Sequence, residues 1–176
     1  VLMSFDPGQY EVQREKNQHD LNTRMKAAFI PRKGESISPN MAAEGIRKLG
    51  IIQLLLQNRQ LDPGRSGTLF WDEPETNMNP KLMHLLVEIL LELSRNGQQI
   101  VLATHDYVLL KWFDLLADKG QGDHVKFHAL FVDVADGQIK LESSDDYLGI
   151  APNAIADTFN DLTKAQVQAK MGSLGK

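Results

Sequence analysis

Two short apolar runs, TLFW at 68–71 and QQIVLA at 98–103, are separated by one amphipathic stretch, PKLMHLLVEILLELSR at 80–95. Runs of this length, bounded by turn residues and containing aromatic and β-branched side chains, read as buried strands. Joined through a helix, they are predicted to lie parallel in one sheet as a right-handed βαβ unit. The expected class is therefore α/β. In open sheets of this kind, ligands collect beyond the carboxyl ends of the strands. The first run leads into Asp72-Glu73-Pro74-Glu75 and the second into Thr104-His105-Asp106. Both polar clusters are thus expected at the same sheet edge.

Ionised carboxylates are costly to bury unless paired or bound to a cation. A chain that ends a buried strand on two of them calls for a reason. An aspartate at a strand end suits Mg²⁺, a hard cation that takes oxygen ligands. The glutamate after it can orient or deprotonate a water for attack on a phosphoryl group. A histidine at the neighbouring strand end can reach the same volume. Each residue also has a plain structural reading. Asp72 alone is an ordinary strand-to-loop carboxylate, and His105 alone is a surface or capping residue at a helix start. The ordered set of strand, Asp-Glu-Pro, helix, strand and Thr-His-Asp is what points to metal-dependent phosphoryl transfer.

Around this core the remaining elements follow local rules. Residues 11–29 contain helix formers and a weak apolar stripe at Val12, Leu21, Met25 and Phe29, which predicts a helix. With Arg24, Lys26, Arg32 and Lys33 nearby, that segment has a basic bias, read as a solvated helix face. Residues 1–35 are set apart as an N-terminal helical and linker segment, and 36–176 as the main domain. A second helix is predicted from Asn40 as N-cap through MAAEGIRKLGIIQLLLQN, with Glu44 in its first turns. Its second half is apolar almost all round and is expected to be buried. Gly45 and Gly50 inside it each cost about 1 kcal/mol relative to alanine, so Gly45 is expected to serve a close approach. Pro80 at the start and Gly97 beyond the end bound the central helix. Asp106 is the predicted cap of the helix at 107–118. Residues 126–134 and 138–142 form a predicted hairpin around Asp136-Gly137. A last helix is expected over roughly 153–170.

The 176 residues, 42% apolar and 24% charged with a net charge of −4, suit one globular domain. The absence of cysteine excludes disulfides and thiolate metal sites. No signal peptide opens the sequence, and no apolar run is long enough for a membrane-spanning helix. A cytoplasmic protein is the expectation. The sequence opens on Val1 rather than methionine, which raises the expectation of a fragment.

The motifs carry a family resemblance. LFWDEPE resembles the Walker B strand of ABC-class ATPases, and ATHD resembles their switch-histidine loop. The similarity is closer to the ABC-type AAA ATPases related to RecF, SMC proteins and the OLD and AbiEii-type defence ATPases. Those carry a helix motif of the AEGxRKL kind before a Walker B strand ending DEPExxxxP. Here AEGIRKL runs from Ala43 to Leu49 and DEPETNMNP from Asp72 to Pro80. The implied fold is a partial P-loop NTPase of ABC type, with a parallel βαβ core and a C-terminal hairpin and helix. The implied cofactors are ATP and Mg²⁺. By resemblance, Asp72 is the Mg²⁺ carboxylate, Glu73 the catalytic base and His105 the γ-phosphate switch. Thr76 to Pro80, including Asn77 and Asn79, is the D-loop that meets a partner protomer. Ala43, Glu44 and Gly45 occupy the signature motif facing the partner's ATP, with Arg47 one turn further along.

Two departures stand out. Ala43 replaces the signature serine. No G-x-x-x-x-G-K-S/T phosphate cradle occurs anywhere; RSGT at 65–68 lacks the lysine. The expectation is the C-terminal part of a longer ATPase, inactive alone. In the complete protein it would hydrolyse ATP as a homodimer, working on nucleic acid or with a defence effector and without a membrane role. The alternative is a degenerate ATPase-fold module used for protein association. A nuclease reading built on Asp133, Asp136, Asp145 and Asp146 is explained more simply by a hairpin and an acidic turn.

Overall fold

The computed structural model describes residues 8–15, 24–31, 44–61 and 67–173. Its elements are β1 (Gly8–Glu15), β2 (Arg24–Pro31), α1 (Glu44–Gln57), β3 (Leu69–Asp72), α2 (Pro80–Arg95), β4 (Ile100–Ala103), α3 (Tyr107–Leu116), β5 (Phe127–Val132), β6 (Ile139–Ser144) and α4 (Ala154–Ser173). Among the described residues these strands form three two-stranded sheets.

The predicted βαβ unit is present. β3 and β4 pair in parallel with Leu69 opposite Ile100 and Asp72 opposite Ala103, and α2 connects them. Glu73 extends the ladder by one bond, its N–H donating to the Ala103 carbonyl at 2.8 Å. α2 begins where its sequence directs. Pro80 occupies its first turn, and the Asn79 side chain accepts from the Lys81 N–H at 3.0 Å. It buries Met83, Leu86, Val87, Leu90, Leu91 and Leu93, a stripe with helical spacing. Leu86, Val87 and Leu90 are at most 1% exposed, and Leu109 of α3 joins them at 0%. The His84 ring meets the Trp112 ring edge-on at a centroid distance of 4.6 Å, closing the α2–α3 contact. Asp106 caps α3 by accepting from the Leu109 N–H at 2.7 Å.

The opposite face of the same two strands is open. Side chains alternate across a strand, and Phe70 and Val101 point away from the α2–α3 layer. Phe70 is 75% exposed and Val101 44%. The expectation of buried strands therefore holds only for the face toward α2 and α3. β5 and β6 form the predicted antiparallel hairpin, with Gly137 at φ 68 in its turn. Leu130 opposite Leu141 and Val132 opposite Ile139 make a second exposed apolar face. Asp133 and Asp136 pair with Lys140 at the hairpin turn, and Asp146 caps the short 3-10 turn at 147–149. These contacts account for three of the four tail aspartates as turn residues.

Two further expectations are corrected. Residues 8–15 and 24–31 are not helical; they are the antiparallel strands β1 and β2. Tyr10 and Val12 alternate and oppose Phe29 and Ala27 in the register. This period-two pattern is shorter than the four-residue coincidences of the helical reading, but ladder hydrogen bonds reinforce it. Leu21 lies outside the described residues, as do the N-cap Asn40 and Ala43. In α1 the second half is buried on one side only: Ile52 is 3% exposed, whereas Ile51 is 49% and Leu56 41% exposed. No helix among the described residues is long and apolar enough to cross a membrane.

Candidate active site

The carboxyl ends of β3 and β4 bring the predicted polar residues together. Asp72, the last residue of β3, is exposed and lies on the open side of the sheet with Phe70. Glu73 follows in a left-handed backbone conformation, φ 44. Its carboxylate is held from two directions. Thr76 Oγ1 donates to Glu73 Oε2 at 2.9 Å, and His105 Nδ1 lies 3.2 Å from Glu73 Oε1. The histidine side chain is 75% exposed and that of Glu73 46%, so both reach solvent at the sheet edge. Glu73 and His105 are thereby placed side by side, as the two strand ends predict.

Glu75 behaves differently from Glu73. It is 6% exposed. Its Oε1 accepts from Thr104 Oγ1 at 2.5 Å, and the same hydroxyl accepts from the Asp106 N–H at 3.0 Å. Its Oε2 is buried without a hydrogen-bond partner. A buried carboxylate with one satisfied oxygen is a costly arrangement. Here it ties the loop after β3 to the residue just before His105. The sequence marks Glu75 only as a third acidic residue; its burial follows from β3 and β4 lying side by side.

The start of α1 packs on the same loop. Asn77 Nδ2 donates to Glu44 Oε2 at 2.8 Å, and Arg47 lies 3.4 Å from Glu44 Oε1. A Cβ at Gly45 would lie 3.2 Å from Met78 Cγ and 3.4 Å from Leu82 Cδ1. Gly45 therefore serves the close approach that its helix-interior position predicts, and the approach is helix to loop. Glu44, Gly45, Arg47 and Asn77 form one cluster. Asn79 stands apart, its side chain engaged as the cap of α2.

Lys48, one turn along α1, was not singled out in the sequence. Its ammonium donates to three carbonyl oxygens: Glu73 at 3.0 Å, Pro74 at 3.1 Å and Thr76 at 2.7 Å. Lys48 lies within AEGIRKL, but the motif does not show what the side chain contacts, because its acceptors are backbone atoms of a distant loop.

Among the described residues, no three Asp, Glu or His side chains converge as a metal cage. A lone exposed aspartate at a strand end fits Mg²⁺, which typically binds through one or two carboxylates, waters and substrate phosphates.

The family described as "AAA domain, putative AbiEii toxin, Type IV TA system" matches residues 5–111, well over half of the chain. No curated protein matches the sequence. Among solved structures, the chain is similar to one reported under ATP-driven dimerization and DNA-stimulated activation of SMC ATPases. The TM-score is 0.56 and the identity 11%, over 91% of this chain and 82% of that one. An Smc head bound to the C-terminal winged-helix domain of ScpA matches at TM-score 0.56 and 14% identity, over 78% of this chain and 37% of that one. An Smc head domain with an extended coiled coil, bound to the C-terminal domain of ScpA and derived from Pyrococcus furiosus, matches at 0.54 and 13%, over 91% and 34%. At these identities the likeness is one of fold, and it agrees with a partial P-loop NTPase of ABC type. The chain belongs to the AAA-domain family described for the putative AbiEii toxin of a type IV TA system.

Proposed function

We propose that this chain supplies the water-activating edge of an ATP-hydrolysing ABC-type engine. The observation that carries the reading is the Glu73 carboxylate, held at the sheet edge between Thr76 and His105. In that position it accepts a proton from an attacking water, while His105 contacts the transferred phosphoryl group. Asp72, facing the open side of the sheet, would hold Mg²⁺, whose charge would offset that of the phosphates. Glu44, Gly45 and Arg47 at the start of α1, with Asn77 beside them, form the surface offered to nucleotide bound by a second protomer. Ala43 stands where a hydroxyl is usual in the family, leaving that contact to backbone N–H groups.

The sequence contains no glycine-lysine cradle for the β- and γ-phosphates, so this chain alone is expected neither to bind ATP tightly nor to hydrolyse it. The exposure of Phe70 and Val101, on the same side of the sheet as Asp72, supports this as the face on which a segment bearing that cradle would pack. Coupling to dimerisation, and beyond it to nucleic acid or a defence effector, extends the same reading. The test is the oligomeric mass of Glu73→Gln in the ATPase completed by its cradle segment, with MgATP, measured by light scattering. A nucleotide-dependent dimer that outlasts the wild-type dimer supports the reading; a mass independent of nucleotide counts against it.

A second reading, a degenerate module for protein association, is favoured by Ala43 and by the uncovered apolar faces. It predicts association that is indifferent to nucleotide.

A further inference from the structure

An ammonium group has three N–H donors arranged about a threefold axis and no acceptor. Lys48 Nζ meets three acceptors, the carbonyl oxygens of Glu73, Pro74 and Thr76 at 3.0, 3.1 and 2.7 Å. All three belong to one short loop. Its first residue, Glu73, stands at φ 44, where a residue with a side chain is strained by about 1 kcal/mol or more. The carbonyl of that strained residue is one of the three that Lys48 binds. Another belongs to Thr76, whose hydroxyl tethers the Glu73 carboxylate at 2.9 Å. Three carbonyl oxygens turned toward one point repel each other unless a cation sits among them. A guanidinium is a flat fork and does not fill the apex of such a pyramid.

We propose that Lys48 is a positioning residue of this site: its ammonium fills the carbonyl cage and fixes the turn that aims the Glu73 carboxylate at the sheet edge. The proposal rests on the reading of Glu73 as the water-activating group. α1 holds the far end of the same loop through Glu44 and Asn77 at 2.8 Å, and it reaches the backbone of Glu73 itself through Lys48. A vacated cage presents the acceptors of a small monovalent cation site, so ammonium ion added from solution substitutes for the missing side chain.

The test uses the full chain as wild type, Lys48→Ala and Lys48→Arg. Amide hydrogen exchange is followed by NMR at Thr76 and Met78, whose N–H groups donate to the Glu73 and Glu75 carbonyls at 3.2 and 2.8 Å, and at Leu90 in α2 as control. In Lys48→Ala the two loop amides are expected to exchange about 10-fold faster or more, with Leu90 unchanged. Ammonium chloride restores protection, tetramethylammonium chloride at equal ionic strength does not, and Lys48→Arg stays fast. Unchanged loop exchange overturns the proposal, as does full restoration by arginine or equal rescue by both salts. Loss of protection at Leu90 as well assigns Lys48 to folding and also overturns it. In the ATPase completed by its cradle segment, Lys48→Ala is expected to lower kcat about 100-fold with KM for MgATP nearly constant, recovering with ammonium. Wild-type kcat in that variant overturns the proposal. If the wild-type assembly itself does not hydrolyse ATP, the role of Glu73 fails, while the exchange data still decide whether Lys48 sets the loop.

Discussion

The two faces of the β3–β4 pair differ sharply in exposure. On one side, Leu86, Val87, Leu90 and Leu109 are at most 1% exposed. On the other, Phe70 and Val101 of the same strands stand 75% and 44% exposed. The closed face holds the fold, and the open face carries Asp72. The difference shows how one short strand serves two purposes. Its inward residues contribute to stability in this chain, while its outward residues contribute nothing until something covers them. Four-residue strands open on one side are hard to stabilise alone, so the α2–α3 layer has to supply most of the cohesion.

That contrast can be broken or sharpened by mutation. Leu90→Ala on the closed face is expected to have the largest effect, about 3–4 kcal/mol, because the truncated side chain leaves a cavity its packed neighbours cannot fill. Urea unfolding measures it, and a loss below about 1 kcal/mol would mean that the closed face is loosely packed. Thr104→Val comes next, at about 2 kcal/mol. It leaves both oxygens of the buried Glu75 without a donor. The double variant Thr104→Val with Glu75→Leu should recover part of that loss, and no recovery would show that the pair is not coupled.

Acid sensitivity arises at the end of α2, where Arg95 meets Asp123. The Asp123 carboxyl is held below the usual carboxylate range, chiefly by its hydrogen bond from the Arg95 guanidinium, against the opposing effect of its burial. A carboxyl lowered in the folded state stabilises the fold above its unfolded value of 3.8, and that contribution is lost as pH falls through the folded value. Asp123→Asn is therefore expected to be less stable than wild type at neutral pH and to show a shallower loss of stability below pH 4. Thermal melts across that range check it, and parallel curves would remove Asp123 from the acid limb.

The smallest effect belongs to the open face. Phe70→Ala should change stability by no more than about 0.5 kcal/mol, since little area is lost from the core. The same variant should weaken association with the segment that carries the phosphate cradle, measured by calorimetry. A large stability loss in the chain by itself would mean that Phe70 is already covered.

Much of this arrangement is legible in the residues. Pro80, Gly97 and Asp106 mark helix ends by local chemistry, and the apolar runs at β3 and β4 identify the parallel pair. Asp136-Gly137 announces its hairpin because the turn requires a positive φ. The N-terminal strands read as a helix because helix-compatible residues and a chance stripe outweigh the one short alternating run at 9–13, and ladder bonds between β1 and β2 leave no trace in composition. The open face was invisible for a related reason: an apolar strand reads as buried whether or not its cover is present. At the site, Asp72, Glu73 and His105 are marked by residue type and place. Lys48 and the burial of Glu75 are not, because each depends on which backbone atoms α1 and β4 bring near.

The most direct measurement for the central claim is phosphate release from MgATP by the proposed ATPase, assembled with a segment that supplies the phosphate cradle, comparing wild type with Glu73→Gln. Glutamine keeps the shape of the side chain and can still receive the Thr76 hydroxyl, but it is not a base. The account predicts a fall in kcat of about 100-fold or more with KM little changed. Turnover at the wild-type rate in Glu73→Gln would contradict it and leave the carboxylate as a structural anchor of the loop.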